Sequence, residues 1–373
     1  MSDLEFCVAW LHVPSIGPAR FRALERAFGT MADAWKAPVG ALRAAGFDTR
    51  LAEHIVQARA KIDPGQELDR VAAAGARAIT WHDDEYPRLL KEISDPPPVL
   101  FVKGTLLPED ERAVTVVGTR RTTAYGREAC DHLVRGLAKA GCTIISGLAR
   151  GIDAVAHRAA LESKGRTLAV LGSGVDVIYP PEHQALAEQV IASGALISEL
   201  PLGRRPEASN FPRRNRILSG MAQACLVVEA PEDSGALITV SHALEQGRDV
   251  FAVPGSVFSP ASRGTNKLIQ DGAKLILDCD DVLQELNLFA WAGAPAVTAA
   301  PRQAVLLDDD ESRLLAFIGH EPVHIDDVVR RTSLPVTTVS STLALMELKG
   351  IVKQVGGMHY LRAREESVAY QTG

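Results

Sequence analysis

The feature that most restricts this chain is an alternation, from about residue 78 to 289, of short apolar runs with helix-sized amphipathic stretches. The runs Val99–Val102, Val114–Val117, Thr143–Ile145, Leu168–Leu171, Ala195–Ile197, Cys225–Val228, Val250–Val253 and Lys274–Leu277 are brief. Several are β-branched and apolar on both faces, which predicts strands buried in a parallel sheet. Tyr125–Ala140, Ile152–Lys164, His183–Ala192 and Ala236–Gln246 are long enough for crossover helices. Strand and helix in alternation imply an open, doubly wound, mostly parallel α/β sheet.

The flanks have other textures. Residues 1–65 read as short helices with Gly breaks, a small helical N-terminal domain of helix-hairpin-helix type. Within it Val13-Pro14-Ser15-Ile16-Gly17-Pro18 is either a hairpin whose N–H groups hold a phosphate or a plain tight turn between packed helices. Residues 66–289 form the extended Rossmann-like domain. Residues 290–304, rich in Ala and Pro with no amphipathic period, read as a linker. In 305–364, the helix-sized Glu311–Gly319, Ile325–Thr332 and Thr337–Lys349 precede the extended pieces Ile351–Val355 and Met358–Leu361 around Gly356-Gly357. That order describes a C-terminal winged helix, with 365–373 left as a tail.

Composition narrows the function. The net charge of −6, from 40 basic and 46 acidic residues, excludes a polyanion binder that uses its whole surface, since phosphate affinity comes from local positive charge. Any nucleic-acid site must be a concentrated patch. Cys7, Cys130, Cys142, Cys225 and Cys279 make no CxxC pair or metal-ligand spacing, so reduced core thiols are expected and no metal or cofactor is. No apolar run reaches the roughly 18 residues of a membrane span. The first residues carry acids where a secretory signal would be basic. A cytoplasmic protein is expected.

In an open α/β sheet, ligands bind outside the carboxyl ends of the strands. After Val114–Val117 come Gly118, Thr119, Arg120 and Arg121, then Thr122 and Thr123. The glycine allows a sharp turn, the threonines offer caps and hydroxyls, and Arg120 offers a fork suited to phosphate oxygens. A capped turn with exposed arginines is the plainer alternative. After Thr143–Ile145, Gly147 and Gly151 bracket a loop before a helix, an N–H-lined cradle for phosphate. Asp153 and His157 share a helix face there, as an acid/base pair or, in the favoured reading, as structural groups. The Gly-rich loop 172–180 carries Tyr179, which either stacks on a base or closes the loop over the core.

The strongest feature is the stretch from Gly203 to Arg216, with five arginines and the single acid Glu207 in fourteen residues. Pro212 suits a helix start, so Arg213, Arg214 and Arg216, with Asn215 among them, crowd a first turn. Cations are disfavoured there by the helix dipole, a choice that makes sense if an anion occupies the site. Phe211 supplies a flat face for an unpaired base, worth roughly 1–3 kcal/mol. The alternative is a solvated basic face with Phe211 as a staple into the core. Ser234, Gly235 and Thr239 after Cys225–Val228, and Lys267 within Gly264–Lys267, complete a ring of Gly, hydroxyl and basic groups. Such an edge suits an elongated anion groove and a single strand of DNA.

These residues resemble the bacterial DNA-processing protein A (DprA) family. The likeness runs from Tyr86 to Ala273 through YPRLL, PPPVLFVKG, VGTR, SGLARGID, GSGVDVIYP, ISELP, FPRRNRILSG, SGALIT and GTNKLIQDGA, in matching order and spacing. The resemblance implies a helical N-terminal domain, a Rossmann-like core and a winged helix. It also implies a homodimer that binds incoming single-stranded DNA in natural transformation and loads the RecA recombinase past single-strand-binding protein. The family's GSR-type loop falls on Gly118, Thr119 and Arg120, with threonine for serine. Its F-x-x-R-N-R element falls on Phe211, Arg214, Asn215 and Arg216. Where relatives often carry a basic residue after the Tyr-Pro pair, this chain has Pro181 and Glu182, which puts a phosphate contact there in doubt.

Two other functions compete. Rossmann-like hydrolases of the lysine-decarboxylase-like group place similar loops at this edge, with Glu199 or Asp153 as candidate catalytic carboxylates here. They carry PGGxGT where this chain has EDSGALIT, and no GxGxxG follows the first strand. A duplex-reading regulator is the third reading. The candidate recognition helix, however, has only Lys349 as a cation and no Arg, Asn or Gln for base edges. Protein contact or dimer packing fits that helix better.

Overall fold

The computed structural model of the protein describes residues 3–286, 288, 309–319, 323–332, 334–348, 351–354 and 358–362. The expected linker, the Gly356-Gly357 turn, Lys349 and the tail lie outside the described residues. Two compact units divide at 292/293.

The first unit opens with six helices: α1 (Asp3–Trp10), α2 (Pro18–Phe28), α3 (Met31–Lys36), α4 (Val39–Ala44), α5 (Thr49–Arg59) and α6 (Pro64–Ala73). Their starts follow capping chemistry: the Thr30, Asp48 and Asp63 side chains accept from backbone N–H groups of α3, α5 and α6, and Pro opens α2 and α6. The expected boundary at 65/66 falls inside α6, and Trp10, Phe21, Leu24 and Ile55 share one core with Val99–Val102 and Leu196. These helices are thus packed into the sheet domain, because none of them has a core of its own to close.

Nine strands form the sheet: β1 (Arg77–Thr80), β2 (Val99–Gly104), β3 (Ala113–Val117), β4 (Thr143–Ser146), β5 (Thr167–Val170), β6 (Ala195–Ser198), β7 (Ala224–Val227), β8 (Asp249–Ala252) and β9 (Lys274–Leu275). They run in the order β1-β2-β6-β5-β4-β3-β7-β8-β9. Seven neighbours from β6 to β9 pair in parallel, while β2 is antiparallel to both β1 and β6. Strands β3 to β7 are wholly buried, which is why they read as unbroken apolar runs. Between the strands lie α7 (Arg88–Lys91), α8 (Ala124–Lys139), α9 (Ile152–Glu162), α10 (Gln184–Ser193), α11 (Asn210–Gly220), α12 (Ala236–Glu245), α13 (Arg263–Gln270) and α14 (Cys279–Glu285). The strand order reverses between β3 and β7, so the ligand crevice of a doubly wound sheet falls there.

The second unit contains α15 (Asp309–Leu315), α16 (Ile325–Thr332) and α17 (Val336–Leu348), with β10 (Val323–His324), β11 (Val352–Gln354) and β12 (His359–Arg362) in the order β10-β12-β11. Leu314, Val328, Val339, Leu343 and Met346 form its core. Three helices and a three-stranded wing make the expected winged helix. Among the described residues no helix is long and apolar enough to cross a membrane, and no group of three or more His, Cys, Asp or Glu could hold a metal ion.

Candidate nucleic-acid interface

At the crossover between β3 and β7 lies a cleft of about 670 Å³, and α11 forms its floor. Of the residues singled out from sequence, Gly118, Thr119, Arg120, Arg121, Phe211, Arg214, Asn215, Ser234, Gly235 and Thr239 line it together. They come from the loop after β3, from α11 and from the start of α12, brought together by the parallel sheet. Asp233 stands on the rim as well.

The 118–123 loop is built from below by Glu229, the residue that follows Val228 at the end of β7. Glu229 is 1% exposed, and its carboxylate accepts from Thr123 N (2.8 Å), Thr123 Oγ1 (2.6 Å) and Thr122 Oγ1 (3.1 Å). Its carbonyl accepts from Thr119 N at 2.7 Å. A Cβ on Gly118 would stand 2.5 Å from Ile152 Cγ1 and 2.8 Å from Glu229 O, so only glycine fits the approach. Thr123 also caps α8 by accepting from Gly126 N. The hydroxyls of Thr122 and Thr123 therefore face Glu229, a correction to their expected role as ligand donors. Arg120 and Arg121 are pushed outward and exposed.

Gly147 and Gly151 do not form the expected phosphate cradle. Asp153 turns back and accepts from Gly147 N (3.1 Å) and Ala149 N (3.3 Å), which occupies those donors. A Cβ on Gly147 would meet the Arg214 guanidinium at 2.6 Å, and one on Gly151 (φ +77°) would meet Thr119 O at 2.2 Å. Both glycines provide room for packing. Burial raises the Asp153 carboxyl, while the Arg214 charge and the loop N–H bonds oppose that rise. His157, fully buried, contacts Thr167 Oγ1 at 2.7 Å. The Thr167 hydroxyl donates to Ile144 O, so His157 Nδ1–H donates and Nε2 is left without a partner. Burial pushes the imidazole down to about 3, and the ring is neutral. Asp153, which also lines the cleft, and His157 are thus both held by contacts of the kind the structural reading expects.

The floor of the cleft is Phe211. Arg120 Cζ lies 5.4 Å and Arg214 Cζ 6.0 Å from its ring centre, and the exposed Tyr179 ring lies 5.9 Å away, tilted by 43°. Gly172 makes the space, since a Cβ there would touch the ring at 2.8 Å. Arg214 is 5% exposed; its Nη1 donates to Gly147 O (3.0 Å) and to Val170 O. Burial lowers its guanidinium to about 10, which leaves it charged at neutral pH. Asn215 Nδ2 reaches Gly235 O at 3.4 Å, tying the floor to the β7 wall.

Three expected contacts do not join the cleft. Arg216 is buried, with Nε 2.8 Å from Asp95 Oδ2 and Nη2 2.6 Å from Glu199 Oε2. Arg213 is exposed but faces another hollow. At about 100° of rotation per helical residue, 214 points about 100° away from 213 and about 160° away from 216 on α11, so Arg214 cannot share one groove with both of those neighbours. Lys267 lies one turn into α13, where it pairs with Asp271 at 2.9 Å. The residue that holds that loop is Asn266, bonded both ways to Gly255. Glu182 pairs with Arg150 at 2.6 Å, so that position opposes phosphate.

Fold and cleft define a class: an open α/β protein with a cationic, aromatic-floored cleft at the crossover of its sheet, followed by a winged helix. The chain belongs to the DNA recombination-mediator protein A family, whose model matches residues 77–287, and the DprA winged helix domain matches 298–358. It is 36% identical to protein Smf of Synechocystis over 97% of this chain and 99% of that one. The structure of DNA processing protein A from Streptococcus pneumoniae superposes with a TM-score of 0.66 at 34% identity, covering 76% of this chain and 98% of that one. DNA processing protein A from Helicobacter pylori, whose structure was described for its single-stranded DNA binding mode, superposes with a TM-score of 0.52 at 27% identity over 57% of this chain and 95% of that one.

Proposed function

We propose that this chain binds single-stranded DNA without sequence preference in the crossover cleft, as part of DNA processing in natural transformation. One observation carries the reading: Phe211, with the guanidiniums of Arg120 and Arg214 close to its ring and Tyr179 beside it, floors a cleft whose rim carries the exposed Arg120 and Arg121. A stacking ring within a positive groove is the chemistry of single-strand binding. The Helicobacter pylori relative, described as a single-stranded DNA binder, supports it. By the same family likeness the chain acts in the cytoplasm as a homodimer and loads RecA past single-strand-binding protein. Non-catalytic action is supported by the two candidate carboxylates, since Asp153 bonds loop N–H groups and Glu199 bonds Arg216. For the winged helix, protein contact is supported by the exposed Phe317, Val336, Leu345 and Met358.

Fluorescence anisotropy with single- and double-stranded oligonucleotides over a salt series tests the cleft. Single strands are preferred, mononucleotides compete weakly and are returned unhydrolysed, and Arg120→Ala flattens the log–log salt slope by about 0.7. Equal binding by Arg120→Ala and the parent refutes the site. RecA filament assembly on strands coated with single-strand-binding protein tests loading, and light scattering tests the dimer.

A further inference from the structure

The hairpin between α1 and α2 has no part in the cleft. Val13–Pro18 forms one wall of a second hollow, of about 350 Å³, whose other wall holds Pro201, Arg204 and, from α11, Arg213. Arg204 and Arg213 are exposed, and neither joins an ion pair with a carboxylate among the described residues. The acid in this wall, Glu199, is taken up by Arg216 at 2.6 Å, so the hollow keeps two free positive charges. The hairpin is held in shape by Arg20, whose Nη1 donates to Ser15 O at 2.8 Å.

The hollow adjoins the cleft. On α11, Pro212 faces the cleft and Arg213 the hollow; along the loop after β6, Pro206 and Ala208 face the cleft while Pro201 and Arg204 face the hollow. Positive charge thus continues from Arg120 and Arg121 across the first turn of α11 to the hairpin. Between the β4 and β5 loops it does not continue, because Arg150 is paired with Glu182. A stripe of cations longer than one pocket fits a polymer of phosphates, whereas a mononucleotide would fill the cleft alone.

We propose that a single strand leaving the cleft runs over Arg213 and Arg204 into the hollow beneath the Val13–Pro18 hairpin, so that the N-terminal helices form part of the DNA path. The proposal rests on the cleft being the single-strand site, and its test separates the two. Gly17 is the N-cap of α2, makes no side-chain cap, and has no atom within 4 Å of the position a Cβ would take. Gly17→Asp supplies a favourable cap together with a negative charge in the hollow, and Gly17→Asn supplies the same shape without the charge. Both variants keep the fold.

The experiment measures anisotropy of the full chain with oligo-dT of increasing length, from about 4 to about 16 nucleotides, at several salt concentrations. Parent affinity rises with length. The Arg204→Ala/Arg213→Ala double variant binds the shortest strands as the parent does, loses the gain with length, and has a slope for long strands flatter by about 1.4, two phosphates at about 0.7 each. Gly17→Asp loses the same gain, and Gly17→Asn retains it. Long strands bound equally well by the parent, the double variant and Gly17→Asp overturn the path. If Phe211→Ala leaves even the shortest strands unaffected, the cleft reading fails and the path falls with it.

Discussion

Replacing Phe211 tests the proposed stacking platform most directly, because on that reading its ring contributes to binding in two separable ways. It offers a face to a base, worth roughly 1–3 kcal/mol. It also holds Arg120 over the cleft at 5.4 Å, an exposed cation–π contact worth about 0.5–1 kcal/mol. Phe211→Ala removes both, about 1.5–4 kcal/mol together, which is roughly one to three orders of magnitude in Kd. Phe211→Leu keeps much of the apolar volume against Gly172 and loses the aromatic face, so it falls most of the way to alanine. Neither variant removes a charge, so the slope of log Kd against log salt stays at the parent value, while Arg120→Ala flattens it by about 0.7. Anisotropy with a fluorescent oligo-dT across a salt series reads both quantities. Leucine binding as tightly as phenylalanine would refute stacking and leave Phe211 as a packing residue.

Arg216→Met strands the buried Glu199 carboxylate, so urea unfolding finds a loss of about 3–5 kcal/mol, while the salt slope of the folded protein is unchanged. Glu182→Lys frees Arg150 and adds a cation three residues after Tyr179; it tightens DNA binding and steepens the salt slope by up to about 1.4, measured by the same anisotropy series. His157 titrates at 6.5 when unfolded and about 3 when folded. The unfolded chain therefore takes up the proton first as pH falls through 6.5, and stability drops steadily down to about pH 3, by up to about 5 kcal/mol. His157→Gln flattens that part of the stability profile, as followed by urea midpoints at successive pH values.

Much of this architecture is legible in the chain because buried parallel strands leave unmistakable runs: segments such as TIIS and ALIS between amphipathic helices admit few other folds. β1 escaped notice, since Arg77–Thr80 is four residues long with a polar residue at each end. β10 escaped too, as a strand of two residues. The cleft was legible where glycine, hydroxyl and arginine follow a strand end. Which way each side chain points was not. Arg214 and Arg216 look alike in sequence, and only the packing of α11 brings Asp95, 121 residues away, onto Arg216. Lys267 was misjudged because GTNKLIQ reads as a loop, whereas Arg263–Gln270 is a helix whose i,i+4 geometry hands the lysine to Asp271. Glu229, the organiser of the β3 loop, carries one faint signal: a lone acid directly after a buried strand, opposite a Thr-Thr pair.

Because Glu229 links the end of β7 to the loop after β3, the two banks of the crevice are cross-tied before any ligand arrives. The macromolecule is then a stiff mould, and the adaptable member of the pair is the polymer. A strand that already stacks on itself must be opened to lay a base on Phe211, while a loosely stacked one need not be. Thymine-rich strands should accordingly outcompete adenine-rich ones of equal length, a discrimination by chain flexibility rather than by contacts to base edges.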